Sequence, residues 1–371
     1  MTDRVPGSTR STHSRFLCSE ILDSQIRQQM LGRGSRPVHT RRAVISTLGT
    51  ASLIAALSGC GLLGGESNDG GSGGGGNGQL ERTQIKVGAM PIIDSTPVHL
   101  AAQKGYFKEE GLDVQLETVT GAATAIPKLL SGELQFTYGA YVPVFQSQAK
   151  GIGEFKFVAD SYQTAENIFV IMVARDSAIK SPKDLEGKTI ATNTKNSITD
   201  LLAKSAMETA GVNHSTVNWV EFPFPDMQSK LEGKQIDAAV ILEPFVTQAA
   251  RAIGAVPILD TSQGPTQNFP ISGYTGMSKF VAENPKTTEA FRRAVTRAAE
   301  TARNRAEVEE AVTKFVKIDK EVAQLVRIGT FPTSVDRTRL QRTVDLMKQY
   351  KMLDPNANVN IDSMIFNPPA G

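Results

Sequence analysis

Cysteine and histidine are scarce in this 371-residue chain, and their scarcity excludes several kinds of chemistry. The two cysteines are Cys18 and Cys60, and both precede a folded body whose patterning begins near residue 84. That body can therefore hold neither a disulfide nor a cysteine nucleophile. Of the four histidines, only His99 and His214 lie beyond the N-terminal leader, so a metal cluster built from histidine and cysteine is excluded there as well. We expect no metal and no cofactor.

The folded body also lacks an excess of one charge. The whole chain has a formal net charge of +2, but residues 1–59 hold eight arginines and no lysine against three acidic residues. The remainder has 32 basic and 35 acidic residues, a net charge of −3, which gives no reason to expect a nucleic-acid partner. The body has no paired histidines and no Gly-x-Ser-x-Gly elbow, so we predict a protein that is not an enzyme.

An arginine pair followed by an apolar run marks the N-terminal region as an export signal. The run covers residues 43–57 and is too short to span a bilayer comfortably. Leu57-Ser58-Gly59-Cys60 follows and resembles the lipobox of bacterial lipoproteins, in which the cysteine carries a diacylglyceryl group. We therefore expect Cys60 to be a lipid anchor. The start codon, at Met1 or Met30, and the export route, Sec or twin-arginine, stay open.

A glycine-rich stretch separates this signal from the folded body. Residues 61–78 are mostly glycine with serine, asparagine and aspartate, a composition that cannot bury a core and behaves as a flexible tether. The N-terminal part therefore divides into a leader with its lipobox (1–59) and a lipid-anchored tether (60–83). Because a lipid is an anchor and not a membrane span, we expect a secreted body held on the outer face of the cytoplasmic membrane, periplasmic or at the cell surface.

Strand-like and helix-like segments alternate along the body. Short runs typical of strands lie at residues 85–89, 113–117, 134–138, 155–159, 167–174, 187–191, 216–222 and 236–242. Helical patterns separate most of these runs, which predicts βαβ units and a largely parallel sheet. The segments 130–138 and 231–240 are alike, since each passes from a helix through a glycine into a strand. This recurrence favours two lobes of similar build.

The first helix-to-strand connection of the body is the most specific stretch in the sequence. Residues 99–114 read His-Leu-Ala-Ala-Gln-Lys-Gly-Tyr-Phe-Lys-Glu-Glu-Gly-Leu-Asp-Val, which indicates the end of a helix, a glycine turn and the start of a strand. This run resembles the N-terminal signature of the substrate-binding proteins of nitrate/sulfonate/taurine-type ABC importers. That family also includes proteins that bind thiamine-precursor pyrimidines.

The resemblance implies an α/β fold of the periplasmic-binding-protein type II, with two α/β lobes joined by two crossing segments and a ligand cleft between them. Residues 261–274 are rich in glycine, proline, asparagine and serine and are the expected return crossing. Lobe one then comprises residues 84–175 and 270–371, and lobe two comprises residues 176–269. Two crossings permit a hinge that closes on a ligand.

Polar loops that follow predicted strands and open predicted helices are the candidate ligand-binding elements. In open α/β sheets ligands bind at the carboxyl ends of the strands, and free helix N–H groups there attract anions. The candidate ligand-binding residues are Asp94, Ser95, Thr96, Gly121, Thr124, Tyr138, Thr192, Asn193, Thr194, Ser197 and Glu243. The alternative role of the hydroxyl groups is helix capping, that of Tyr138 is core packing, and that of Glu243 is bracing of its Glu-Pro-Phe loop.

The resemblance implies a solute-binding lipoprotein that captures a small polar or anionic solute, such as a sulfonate or nitrate, for an ABC importer. Its partners would be that solute, the permease subunits and the membrane through the lipid, and we expect a monomer. Lys195 favours an anion, whereas Asp94 and Glu243 favour a donor-rich or cationic group, such as a thiamine-precursor pyrimidine or another aromatic heterocycle. A second alternative is a surface lipoprotein that serves signalling or adhesion and not transport.

Overall fold

The computed structural model describes residues 79–368, and these contain ten strands in two five-stranded sheets. The strands are β1 (Gln84–Ala89), β2 (Asp113–Thr118), β3 (Phe136–Ala140), β4 (Phe155–Gln163), β5 (Phe169–Val173), β6 (Thr189–Thr192), β7 (Asn218–Glu221), β8 (Ala238–Leu242), β9 (Val256–Asp260) and β10 (Pro270–Met277). The predicted signal, Cys60 and residues 61–78 of the predicted tether lie outside the described residues, whereas residues 79–83 are described and Arg82 bonds to Thr287.

Helices of the described region connect and cover these strands. They are α1 (Thr96–Gln103), α2 (Tyr106–Glu109), α3 (Ala122–Leu130), α4 (Tyr141–Ala149), α5 (Ile198–Thr209), α6 (Phe224–Glu232), α7 (Phe245–Ile253), α8 (Ser278–Glu283), α9 (Pro285–Thr301), α10 (Arg305–Phe315), α11 (Lys320–Leu325), α12 (Arg337–Gln349) and α13 (Ile361–Met364). None of the helices in this part of the chain is both long and apolar enough to cross a membrane.

The two sheets follow one plan. Sheet one has the order β2-β1-β3-β10-β4, and sheet two has the order β7-β6-β8-β5-β9. In each sheet the first three strands are parallel, and the fourth strand is antiparallel to both of its neighbours. The antiparallel strand is the one that the chain enters on arriving from the other sheet. The similar segments α3–β3 and α6–β8 occupy equivalent positions, and the α/β fold with two lobes is confirmed.

The boundary predicted near residue 175 is wrong for the strand β5. The sequence analysis placed this apolar run in lobe one, but Phe169–Val173 pairs with β8 and β9 in sheet two. The first link between the sheets therefore lies at residues 164–168. A continuous apolar strand can be buried in either sheet, so its local sequence cannot choose between them.

The core of lobe one is built on aromatic rings from distant parts of the chain. Phe136 of β3 stacks on Phe291 of α9 with ring centroids 4.4 Å apart, and Tyr274 of β10 meets Phe291 edge-on. His99 is also structural, because it stacks on Phe315 at 3.9 Å and burial lowers its pKa to about 4. This packing holds sheet one rigid behind the loops that face the second lobe.

Candidate ligand-binding cleft

A cleft of about 500 Å³ lies between the two sheets and takes its lining from both lobes. Lobe one contributes the segments after β1 and β3 and the beginning of α3. Lobe two contributes the loop between β6 and α5, together with side chains of β5, β8 and α6. The carboxyl ends of β1, β3 and β6 therefore meet at one site, as expected for ligand binding in open α/β sheets.

Asp94 is the charged group at the lobe-one wall. It follows β1 in the short 3-10 turn Ile93–Ser95, and its side chain is 2% exposed. Within the described part of the chain its Oδ1 has no hydrogen-bond partner. Burial raises the pKa of Asp94 to about 7, and the Tyr138 hydroxyl offsets part of this shift. Tyr138 is also buried and lines the cleft beside it.

The lobe-two wall is the loop of residues 193–197, which leads from β6 into α5. Its ends are held by hydrogen bonds to neighbouring acids. The Lys195 amide donates to Glu221 Oε1 at 2.5 Å, and the Asn196 amide donates to Asp200 Oδ2 at 2.8 Å. Asn193, Thr194 and Ser197 of this loop line the cleft, and the Ser197 hydroxyl is 2.8 Å from that of Thr199.

One hydrogen bond already spans the cleft. Gln146 of α4, in lobe one, donates through Nε2 to the Asn196 carbonyl oxygen of lobe two at 3.1 Å. The same Nε2 lies 3.4 Å from the Met352 carbonyl oxygen. Gln146 therefore ties the mouth of the cleft to both lobes. Sequence reasoning missed it, because the helix α4 follows β3 without a turn signal and contains Pro143.

Six of the predicted binding residues line the cleft, and they come from both lobes. They are Asp94, Gly121, Tyr138, Asn193, Thr194 and Ser197.

Four predicted hydroxyl residues are not part of this lining and bond to the protein instead. Ser95 donates to the Ile92 carbonyl oxygen at 2.9 Å, and Thr96 donates to that of Ile93 at 2.6 Å. Thr124 donates to the Gly121 carbonyl oxygen at 2.9 Å. The Thr192 and Thr199 hydroxyls are 2.6 Å apart and buried. These hydroxyls support the turns that form the cleft.

Glu243 is likewise placed away from the lining and braces its loop. Its carboxylate accepts hydrogen bonds from the Thr247 hydroxyl at 2.9 Å, from the Thr247 amide at 3.1 Å and from the Arg327 amide at 3.1 Å. Burial raises the pKa of Glu243 above its ordinary value, and these hydrogen bonds offset part of the shift. These contacts fit the role of bracing the Glu-Pro-Phe loop, which the sequence analysis gave as the alternative to ligand binding.

Apolar side chains form most of the remaining surface, and sequence reasoning did not identify them. They include Met90, Ile92, Ile126, Pro143, Phe169, Ile198, Phe224, Leu242 and Ile271. Such residues carry no signal of their own, since the same types fill every core. The charged lining side chains in the described region are Asp94, Lys150 and Lys195, and arginine is not among them. No cluster of acidic, histidine or cysteine side chains suited to a metal ion occurs in the described residues.

The proteins that resemble this chain in sequence or fold include binding proteins. A sequence model of the NMT1/THI5-like family matches residues 92–308. A protein of Brucella abortus (strain 2308) whose given name is that of a binding protein is 30% identical to this chain over 267 residues. The matched residues cover 70% of this chain and 80% of the relative.

Two solved structures share the fold at low sequence identity. The periplasmic aliphatic sulphonate binding protein SsuA from Escherichia coli has a TM-score of 0.63 and 19% identity, covering 77% of this chain and 98% of that one. The periplasmic nitrate-binding protein NrtA from Synechocystis PCC 6803 has a TM-score of 0.65 and 15% identity, with coverages of 77% and 85%.

Proposed function

Because this chain belongs to the NMT1/THI5-like family, we propose that it is an extracytoplasmic solute-binding protein that delivers a small molecule to an ABC importer. The observation that carries the proposal is the cleft of about 500 Å³ lined by both lobes. This volume is typical of small-molecule sites. The protein would bind and release its solute without chemical change, as a monomer that contacts permease subunits.

The lobes of this proposed binder follow the sheets. Lobe one comprises residues 84–163 and the part of the chain from Pro270 onward, and lobe two comprises residues 169–260. Two links join them, at 164–168 and 261–269. A pair of short links permits hinge closure on a solute, with Gln146 and Asn196 as a contact across the mouth.

Two classes of solute are supported by different features. A sulfonate or nitrate ion is supported by the names of the structural neighbours, by Lys195 and by the N-terminus of α5 at the cleft. An aromatic heterocycle with N–H donors is supported by Asp94 and the apolar lining. A surface protein for signalling or adhesion is the remaining alternative, and it predicts no saturable binding of either class.

Binding of a solute should depend on Asn193 and not on its neighbour Thr192. Asn193 lines the cleft, so loss of a hydrogen bond in Asn193→Ala should weaken binding by about tenfold. Thr192→Val removes the hydroxyl bonded to Thr199, so it should lower the free energy of unfolding by about 1 kcal/mol at near-normal affinity.

Native mass spectrometry of the purified protein would first identify the bound solute, and calorimetry would then give its affinity for both variants. Thermal shifts with nitrate, alkanesulfonates and aminopyrimidines would serve where no solute co-purifies. Equal affinity losses in the two variants would place Thr192 at the ligand as well. Unchanged affinity in Asn193→Ala would move the site away from this loop.

Membrane attachment should depend on Cys60, which lies outside the described residues. Only a thiol accepts the diacylglyceryl group, so Cys60→Ser should release the protein from the membrane fraction or leave its leader uncleaved. Cys18→Ser is the matched control, since it precedes the apolar run. Fractionation with immunoblotting measures both variants. A processed Cys60→Ser protein that still sediments with membranes would refute the proposed anchor.

A further inference from the structure

Asp94 differs from the other buried aspartate of the same lobe in having an unsatisfied oxygen. Asp160 is 5% exposed, and its Oδ1 accepts hydrogen bonds from the Tyr141 hydroxyl and the Ser161 amide, both at 2.9 Å. Its Oδ2 is 3.0 Å from the Arg339 guanidinium. Asp94 is 2% exposed, and its Oδ1 has no hydrogen-bond partner in residues 79–368. A buried acceptor left without a partner destabilises a fold. The stability of the fold therefore does not explain why an aspartate occupies position 94.

The surroundings of Asp94 do not suit an oxyanion. The lysines of the lining, Lys150 and Lys195, are both exposed, whereas the carboxyl group of Asp94 is buried at the lobe-one wall. Whenever Asp94 is ionised, an anion next to it would meet a like charge in a region shielded from water, where such repulsion is strongest. A guanidinium, the group that best holds a planar oxyanion by two hydrogen bonds, is absent from the lining formed by the described residues.

The apolar part of the cleft lining favours a solute with an apolar body. Ile92 and Ile271 come from lobe one, and Phe169, Phe224 and Leu242 come from lobe two. All five side chains are buried. Transfer of an apolar ring or chain from water onto such a surface is favourable, whereas a small inorganic ion would leave this surface unused.

We propose that Asp94 selects the solute, which is a neutral or cationic organic molecule with an apolar body and an amine-type or amidine-type N–H group that donates to the Asp94 carboxyl group. The proposal rests on the proposed function as a solute-binding protein. Tyr138 lies beside Asp94 in the lining, and its hydroxyl interacts with the Asp94 carboxyl group. Charge-assisted hydrogen bonds of this kind are short and strong, so the N–H group decides which solutes are retained.

Probes that share one apolar body test this assignment. Benzylamine and benzamidine carry N–H donors, benzenesulfonate carries an oxyanion, and nitrate lacks the body. Calorimetry at pH 8 on protein freed of solute by unfolding and refolding should give affinities for the N–H probes at least tenfold above that for benzenesulfonate. Asp94→Asn should reduce those affinities by about ten- to a hundredfold. Asp226→Asn, which removes the charge of an exposed aspartate outside the cleft lining, is the matched control and should leave them unchanged.

Each other outcome has a definite meaning. Tighter binding of benzenesulfonate or nitrate, lost in Lys195→Met and kept in Asp94→Asn, would overturn the proposal and make the cleft an anion site, with the proposed function intact. Failure of every N–H probe to bind saturably would also overturn it. Native mass spectrometry distinguishes failure of the proposed solute class from failure of the proposed function. A co-purified sulfonate or carboxylate would refute only the proposal that the solute donates an N–H group to Asp94. No co-purified solute, together with no binding by any probe, refutes the solute-binding function itself.

Discussion

Asp94→Asn is expected to stabilise the empty protein above pH 7 and to leave its stability almost unchanged near pH 4. Burial raises the pKa of Asp94 to about 7 from its ordinary 3.8. Between these values the folded protein keeps a proton that the unfolded chain releases, so the free energy of unfolding falls as the pH rises from 4 to 7. Asparagine has a similar shape and cannot ionise. The expected gain at pH 8 is roughly 2–4 kcal/mol.

Chemical denaturation of solute-free wild type and Asp94→Asn at pH 4, 6 and 8 measures this effect. Asp226→Asn removes a charge from an exposed aspartate in the first turn of α6 and is the control for charge loss alone. Its stability should follow that of the wild type at every pH. An Asp94→Asn variant that is less stable than the wild type at pH 8 would mean that the carboxylate is satisfied in the folded state. The gain and the expected loss of binding together would identify Asp94 as a residue retained for recognition.

Gly273→Ala is expected to destabilise lobe one strongly. Gly273 lies in β10, where an added Cβ would come within 2.5 Å of the Tyr141 hydroxyl oxygen and 2.7 Å of the Ala159 carbonyl oxygen. The carbonyl belongs to the paired strand β4, so it cannot move aside without breaking the ladder. The Tyr141 hydroxyl is held by its hydrogen bond to Asp160. We expect a loss of about 3 kcal/mol or more in the free energy of unfolding.

The chain offers a matched control directly across the ladder. Gly139 of β3 pairs with Gly273, but a Cβ there would meet no atom within 4 Å. Gly139→Ala should therefore unfold within about 1 kcal/mol of the wild type. Because Gly139 lines the cleft, its methyl group should instead reduce solute binding. Thermal and urea denaturation of both variants would show the contrast, and equal destabilisation would contradict the packing around β10.

The bounds of most elements follow from local pattern. Residues 337–349 form α12, whose apolar stripe and Asp336 N-cap act within a few residues. The strand predicted over residues 85–89 likewise agrees closely with β1. The loop at 193–197 could be placed at the cleft because a polar stretch between a strand and a helix in an α/β repeat lies at the carboxyl end of the sheet.

The two elements that complete sheet one and the cleft could not be obtained this way. The segment before Tyr274 was predicted as an irregular return crossing, yet Pro270–Met277 is the antiparallel strand β10 between β3 and β4. Its glycines and proline oppose strand formation locally, and only the close approach of Tyr141 and of β4 requires Gly273. Helix α4 could not be predicted from local pattern either, because it follows β3 directly and no turn residues mark its beginning.

The amino-acid sequence by itself determined that the chain is an α/β protein of two similar halves with polar loops after its strands, and it predicts a leader and a tether before them. Those properties depend on composition and on contacts between near neighbours. Only the tertiary structure decided that β5 belongs to sheet two, that Thr192 turns toward Thr199, and that Asn193 faces the cleft. The tertiary structure also decided that Asp94 Oδ1 has no hydrogen-bond partner among the described residues. The physical reason is that a side chain's partners come from strands and helices far apart in the chain, and burial and pairing arise only when these meet.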